Sequence, residues 1–188
     1  MPASGIRGMH DIAFGSHLCL FYRRPHEFLQ VTASFLQAGL ANQELCVWVL
    51  PPPITIPLAL EELVHRGVNG ATLQGIQQLQ IVASEDWYSD GAFNVDASLD
   101  QLAALPAIAR ELGYGSVRAV GGPGPFACET VRQAFMCYEH RATEVIAGKP
   151  FIGLCCYASP DCMETDLYDI MSAHPQALLW TMTGWVSI

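Results

Sequence analysis

The sequence predicts an α/β domain with a mostly parallel central sheet and helices on both of its faces. Three observations predict it. Short apolar runs recur along the chain, segments of helical periodicity separate them, and the runs are apolar throughout instead of alternating. Strands that alternate with helices pair in parallel through crossover connections, and strands covered on both faces read as continuous apolar stretches. A length of 188 residues fits one domain over 1–188, with its core from about residue 15 onward.

The first strand is His17-Leu-Cys-Leu-Phe-Tyr22, and Pro25 suits the first turn of the helix that follows. That helix carries Phe28, Thr32, Phe35, Leu36 and Gly39 on one face and runs to about Asn42. A second strand, Cys46–Leu50, stops at the triple proline Pro51 to Pro53. A helix from Pro57 to Arg66, with Gly67 as its stop, precedes a third strand, Leu79–Ala83. A loop with Trp87, Tyr88 and Gly91 comes next, then a helix over Leu99–Leu112 that contains Pro106, and a fourth strand, Ser116–Val120. Gly121–Pro125 is a loop. Val131, Phe135, Tyr138, Ala142 and Val145 recur at helical spacing and mark a helix from Glu129 to Ala147. A fifth strand over Phe151–Tyr157, a short helix ending near His174, and a terminal strand or hairpin over Ala177–Ile188 complete the chain.

Composition narrows the function. Hydrophobic residues make up 51% and charged residues 14%, which is too apolar for disorder. The net charge of −9, with Lys149 the only lysine, leaves no basic face to track phosphates, so direct nucleic-acid binding is not expected. No apolar run approaches the roughly 20 residues of a spanning helix, the acidic balance disfavours anionic membranes, and the first residues lack a secretory apolar stretch. A cytoplasmic protein without membrane contact is the expectation. Seven cysteines, an odd number placed mostly in apolar runs, suit packing, a reactive thiol or metal ligation better than a disulfide framework.

Common marks of catalysis are missing. The sequence has no GxSxG elbow, HExxH pair or CxxC motif. The first strand leads into Arg23-Arg-Pro-His-Glu27, and the 121–125 loop lacks a following Lys-Ser or Lys-Thr, so no nucleotide is expected as cofactor. A non-enzymatic role follows as the expectation.

Side chains with chemistry of their own remain. Trp87 and Tyr88 stand after the third strand, where ligands of parallel sheets bind, and serve either as a pocket wall or as loop packing. Arg118 is a charge inside an apolar strand and needs a carboxylate or an anionic ligand; Glu139, at the border of its helix's apolar face, is its natural partner. His17 and Cys19 share one face of the first strand, whereas Cys155 and Cys156 point oppositely. A site made from His17, Cys19, Cys155 and His174 would suit zinc or copper, although buried thiols and hydrogen-bonded imidazoles account for the same residues without a metal. The expected pocket lies at the carboxyl end of the sheet, lined by Trp87, Tyr88 and Tyr157 with His17 and Cys155 nearby. Trp87→Ala is then expected to weaken binding and leave stability nearly unchanged.

Segment by segment, the chain resembles the MEDS sensory domain of methanogen and methylotroph signalling proteins and the dichloromethane-responsive regulator. The resemblance lies in Gly15-Ser-His-Leu-Cys-Leu-Phe-Tyr22, Phe35-Leu-Gln-Ala-Gly-Leu40, Cys46-Val-Trp-Val49, Asp86-Trp-Tyr88 with Gly91 and Phe93, Tyr138-Glu139, Leu154-Cys-Cys-Tyr157 and His174-Pro175. It covers almost the whole chain, and departs from the family's pattern over Ala119–Pro125. The resemblance implies a RecA/KaiC-like fold without a functional P-loop, and a role in sensing simple hydrocarbon derivatives within prokaryotic signal transduction or transcription control. Trp87, Tyr88, Arg118, Glu139 and Tyr157 are the candidate ligand-binding residues, and output would pass to a signalling partner protein or through self-association. The alternatives are a metal- or thiol-based redox sensor, a cysteine-dependent enzyme using Cys155 or Cys156 with His17 or His174 as base, and a scaffold that only docks a partner.

Overall fold

A computed structural model of the chain describes residues 1–88, 93–126, 128–162, 164–181 and 184–187; Gly91 lies outside them. The elements are β1 (Ser16–Tyr22), α1 (Pro25–Ala41), β2 (Leu45–Leu50), α2 (Ile56–His65), α3 (Gly70–Gly75), β3 (Leu79–Ala83), α4 (Ser84–Tyr88), α5 (Val95–Glu111), β4 (Val117–Gly121), α6 (Glu129–Ile146), β5 (Phe151–Ala158), α7 (Glu164–Ala173), β6 (Gln176–Thr181) and β7 (Gly184–Ser187). They form one sheet in the order β3-β2-β4-β5-β1-β6-β7. Strands β1 to β6 pair in parallel, and β7 closes one edge antiparallel to β6.

Alternation along each strand sorts the apolar residues into two layers. Leu18, Leu20, Trp48, Leu50, Ile152 and Leu154 face α1, α2 and α3, where Phe28, Phe35, Leu36 and Leu63 cover them. Cys19, Phe21, Val47, Val49, Phe151 and Tyr157 face the other way, under Leu99, Leu102 and Leu105 of α5, Phe135 and Tyr138 of α6, and Ile170 of α7. Because helices cover both faces, the strands needed no polar alternation, and so they stood out in the sequence as continuous apolar runs.

Departures from the expected elements are local. Residues 84–88, expected as loop, form the short helix α4, and α3 was not foreseen. Helix α5 begins at Val95 because the Asn94 side chain accepts a hydrogen bond from Ala97 N–H, capping the helix ahead of its first apolar residue. The C-terminal apolar segment is both alternatives at once, a parallel strand followed by an antiparallel return.

The expected Arg118–Glu139 pair does not form. Arg118 and Glu139 are both 0% exposed but lie on opposite sides of the sheet. Val117 and Ala119 of β4 face α5 and α6, so Arg118 between them points under α1. There its guanidinium makes a two-pronged contact with Glu44, at 2.6 Å and 3.2 Å, and donates to the carbonyls of Ala3 and Phe35. A Cβ at Gly39 would lie 2.7 Å from Arg118 Cδ, so the missing side chain of that glycine is what lets the arginine run beneath the helix.

Candidate functional site

Two features lie together between the sheet and the α5–α6 layer. One is a buried polar cluster, the other a small cavity. His17 of β1 and Cys155 of β5 reach both of them.

The cluster starts from the β1–β5 register. His17 pairs with Gly153 and Cys19 with Cys155, so these residues share one face across adjacent strands. A Cβ on Gly153 would meet His17 Cδ2 at 3.1 Å and Ile146 Cδ1 at 3.0 Å, so the glycine makes room for the imidazole. Helix α6 crosses above with Glu139 and Thr143 one turn apart, and the ring of His174, just after α7, packs against that of His17 at a 45° tilt with centroids 4.3 Å apart. His17 Nε2 lies 3.2 Å from Cys155 Sγ and 3.3 Å from Glu139 Oε2. Glu139 Oε2 lies 3.4 Å from both Cys155 Sγ and His174 Nε2.

Outside this centre, each group is held from behind. The Tyr157 hydroxyl donates to Glu139 Oε1, His17 Nδ1 is 2.8 Å from Thr143 Oγ1, and His174 Nδ1 is 2.7 Å from the Ile170 carbonyl. The Thr143 hydroxyl donates to the Ala173 carbonyl, which leaves its oxygen to accept from His17 Nδ1–H. A carbonyl can only accept, so His174 also carries its proton on Nδ1. Both Nε2 atoms are thereby turned toward Glu139.

Electrostatics in the cluster follow from burial and pairing. Burial pushes the Cys155 thiol up to about 12, and the neighbouring Glu139 charge acts in the same direction. Burial lowers the His17 imidazole in spite of its contact with Glu139. For Glu139, burial alone would favour the neutral acid, but its close contacts with His17 and His174 outweigh it and hold the carboxyl well below its ordinary range. Burial likewise opposes a charge on His174, and its contacts with Cys155, Cys19 and Glu139 override that effect and raise it. Burial is the first cause at all four groups, and the enclosed Glu139 carboxylate acts against it at both imidazoles, prevailing at His174 and not at His17.

The cavity holds about 30 Å³, room for roughly two water-sized groups. Its floor is the sheet, at Ala119, Gly121 and Gly153, where small side chains leave a hollow. Its walls include Trp87, Tyr88, Val49, Leu102 and Tyr138. Tyr88 rests edge-on against Phe135 and Tyr138, with centroids 5.2 Å and 6.0 Å apart, so the wall is a braced aromatic group.

The expected site residues divide accordingly. Trp87, Tyr88, His17 and Cys155 do line one cavity, although it sits over the face of the sheet and not beyond its carboxyl edge. Tyr157 is displaced from its wall and joins the polar cluster through Glu139. Arg118 is on the far side of the sheet, committed to Glu44. Among the groups expected around a metal, His17, Cys155 and His174 converge, while Glu139 takes the place given to Cys19, which lies beside His174 and outside the convergent set. Trp87 is 8% exposed and packs with Leu99 and Leu102, so truncating it removes core as well as cavity wall, at a cost of about 3–5 kcal/mol. The expectation that Trp87→Ala spares stability is corrected on that ground. Glu44 was missed, and its signal was the glycine at 39 that opens a channel to Arg118.

A family model described as MEDS, the methanogen/methylotroph, DcmR sensory domain, matches residues 16–175. No curated protein matches the chain. Among solved structures, the chain is similar to the KaiC-like protein PH0186 from the hyperthermophilic archaeon Pyrococcus horikoshii OT3. The two share 15% sequence identity with a TM-score of 0.64, over 94% of this chain and 78% of that one.

Proposed function

Because the chain belongs to the MEDS family of sensory domains, we propose that it senses a small organic molecule in the cavity above the β4–β5 face and has no catalysis of its own. The observation that carries this reading is the size and lining of the cavity. About 30 Å³ between Trp87, Tyr88, His17 and Cys155 suits a compound of roughly two or three heavy atoms, such as a simple alcohol, methylamine, thiol or halomethane, and is far too small for a nucleotide. Aromatic walls accept the carbon end, and the His17 and Cys155 edge accepts a polar or soft atom. A thiol held near pKa 12 by burial supports the non-catalytic reading, since cysteine nucleophiles depend on a lowered pKa.

A sensor needs only that occupancy favour one of two conformations. Here ligand would bear on α4, α5 and α6 together, and output would pass to a signalling or transcription partner, or through self-association. Isothermal titration of the whole chain with methanol, methylamine, methanethiol and dichloromethane is the test. At least one should give saturable binding that Trp87→Phe weakens, since the smaller ring retracts the wall. Absence of saturable heat with all four would overturn the reading.

A further inference from the structure

We propose that His17, Glu139, Cys155 and His174 form a binding site for one divalent transition-metal ion of the zinc class, held by two imidazole nitrogens, a carboxylate oxygen and a thiolate. The site shares His17 and Cys155 with the wall of the cavity, but it is argued from the polar cluster and does not require that the cavity take an organic ligand.

Counting donors and acceptors gives the first argument. Both imidazoles direct Nδ1 outward, to Thr143 and to the Ile170 carbonyl, so both Nε2 atoms face the centre. Glu139 Oε2 is an acceptor there. Cys155 brings the single proton of its thiol, and Tyr157 donates to the other carboxylate oxygen. His17 Nε2 and Glu139 Oε2 therefore share one weak thiol donor. His174 Nε2 is fully buried, and its 3.4 Å contact with Glu139 is not aligned as a hydrogen bond. Buried polar atoms are rarely left so, and a cation at their common centre satisfies all of them at once.

Geometry gives the second. The four ligand atoms lie within 4.8 Å of one another, and four of the pairs are separated by 3.2, 3.3, 3.4 and 3.4 Å. Bond lengths of about 2.0–2.3 Å in a tetrahedral zinc site place neighbouring ligands about 3.3–3.6 Å apart. The outward contacts of Thr143, Ile170 and Tyr157 are those that fix ligand orientation in metal sites. Imidazole and thiolate together select zinc-like ions over magnesium or calcium. On binding, the Cys155 thiol proton and the proton that Glu139 draws to His174 Nε2 leave to solvent, and carboxylate plus thiolate neutralise the dication, so no net charge stays buried in the site.

The test is metal content and Co²⁺ spectroscopy of the full chain. Protein produced with Zn²⁺ should retain one ion per chain through gel filtration, and the Co²⁺ form should show thiolate-to-metal charge-transfer absorption. Cys155→Ser should abolish that absorption and His174→Gln should lower metal retention at least tenfold, whereas Cys137→Ser, at an exposed position, should change neither. If the site variants fail to fold, the wild-type Co²⁺ spectrum and melting curve decide. Zn²⁺ at a hundredfold its Kd should raise Tm by roughly 5–10 °C. Folded wild-type protein that retains no Zn²⁺ and shows no Tm rise would overturn the proposal, as would bound Co²⁺ without thiolate absorption. Organic-ligand titrations on metal-free and metal-loaded protein separate this failure from that of the sensory reading.

Discussion

Arg118 illustrates how far a single residue can be read before folding is known. A charge in an apolar strand had to be buried and paired, and it is, but the strand's alternation sends it to Glu44 beneath α1 and not to Glu139 above β5. Burial was legible in the sequence. The partner was not, because which face of β4 turns to which helix depends on the crossovers of the whole sheet. The same limit governs the polar cluster: His17, Cys155 and His174 were recognisable as ligand types, yet Glu139 joins them only because α6 crosses at this point of the β1–β5 pair. Arg118→Ala should cost about 3–5 kcal/mol in urea denaturation, since it leaves Glu44 buried with the Asn42 amide as its side-chain partner and no countercharge. It should also free residues 1–12 for proteolysis, because Arg118 holds the Ala3 and Ser4 carbonyls. Loss below 1 kcal/mol would mean that Glu44 finds water or a proton instead.

Elements were more legible than single contacts. Long amphipathic helices announce themselves by several turns of repeated spacing, as α1 and α6 do, whereas α3 and α4 are too short to show a period. Caps set by side chains escaped as well, and Asn94 moved the start of α5 four residues ahead of its first expected residue. Pro106 lies inside that helix, half-buried, and its ring removes the hydrogen bond that the Leu102 carbonyl would otherwise accept. Leu102 and Leu105 still bury fully around it, so packing against the sheet outweighs the local cost. Pro106→Ala should therefore stabilise the chain by about 1–3 kcal/mol, visible as a higher urea midpoint with an unchanged slope. A decrease would show that the proline's rigidity in the unfolded chain outweighs the restored bond.

For the whole molecule, the parallel strand order raises the question of whether a nucleotide could bind at the carboxyl edge of the sheet, where open parallel sheets take ligands. At 15% identity the likeness to a KaiC-like protein shows the fold alone, so the answer has to come from the turn between β1 and α1. In a phosphate-binding turn, free backbone amides at a helix N-terminus meet the phosphates and a lysine reaches the terminal ones. Here the amides of Arg23 and Arg24 both donate to the carboxylate of Glu27, at 2.8 Å and 3.2 Å, and Pro25 has no amide to offer. A carboxylate of the chain's own thus covers the donors that a phosphate would need. Lys149, the only lysine, precedes β5 and so lies at the amino edge of the sheet, away from the carboxyl end of β1. A net charge of −9 further disfavours a polyanion. Equilibrium dialysis with magnesium-ATP should detect no binding at micromolar concentrations. Glu27→Ala should not create it, because uncovering two amides supplies neither the missing lysine nor the amide that Pro25 lacks. Micromolar binding by the unaltered chain would mean that Glu27 yields its place to phosphate, and the sheet's carboxyl edge would then have to be counted as a second ligand site.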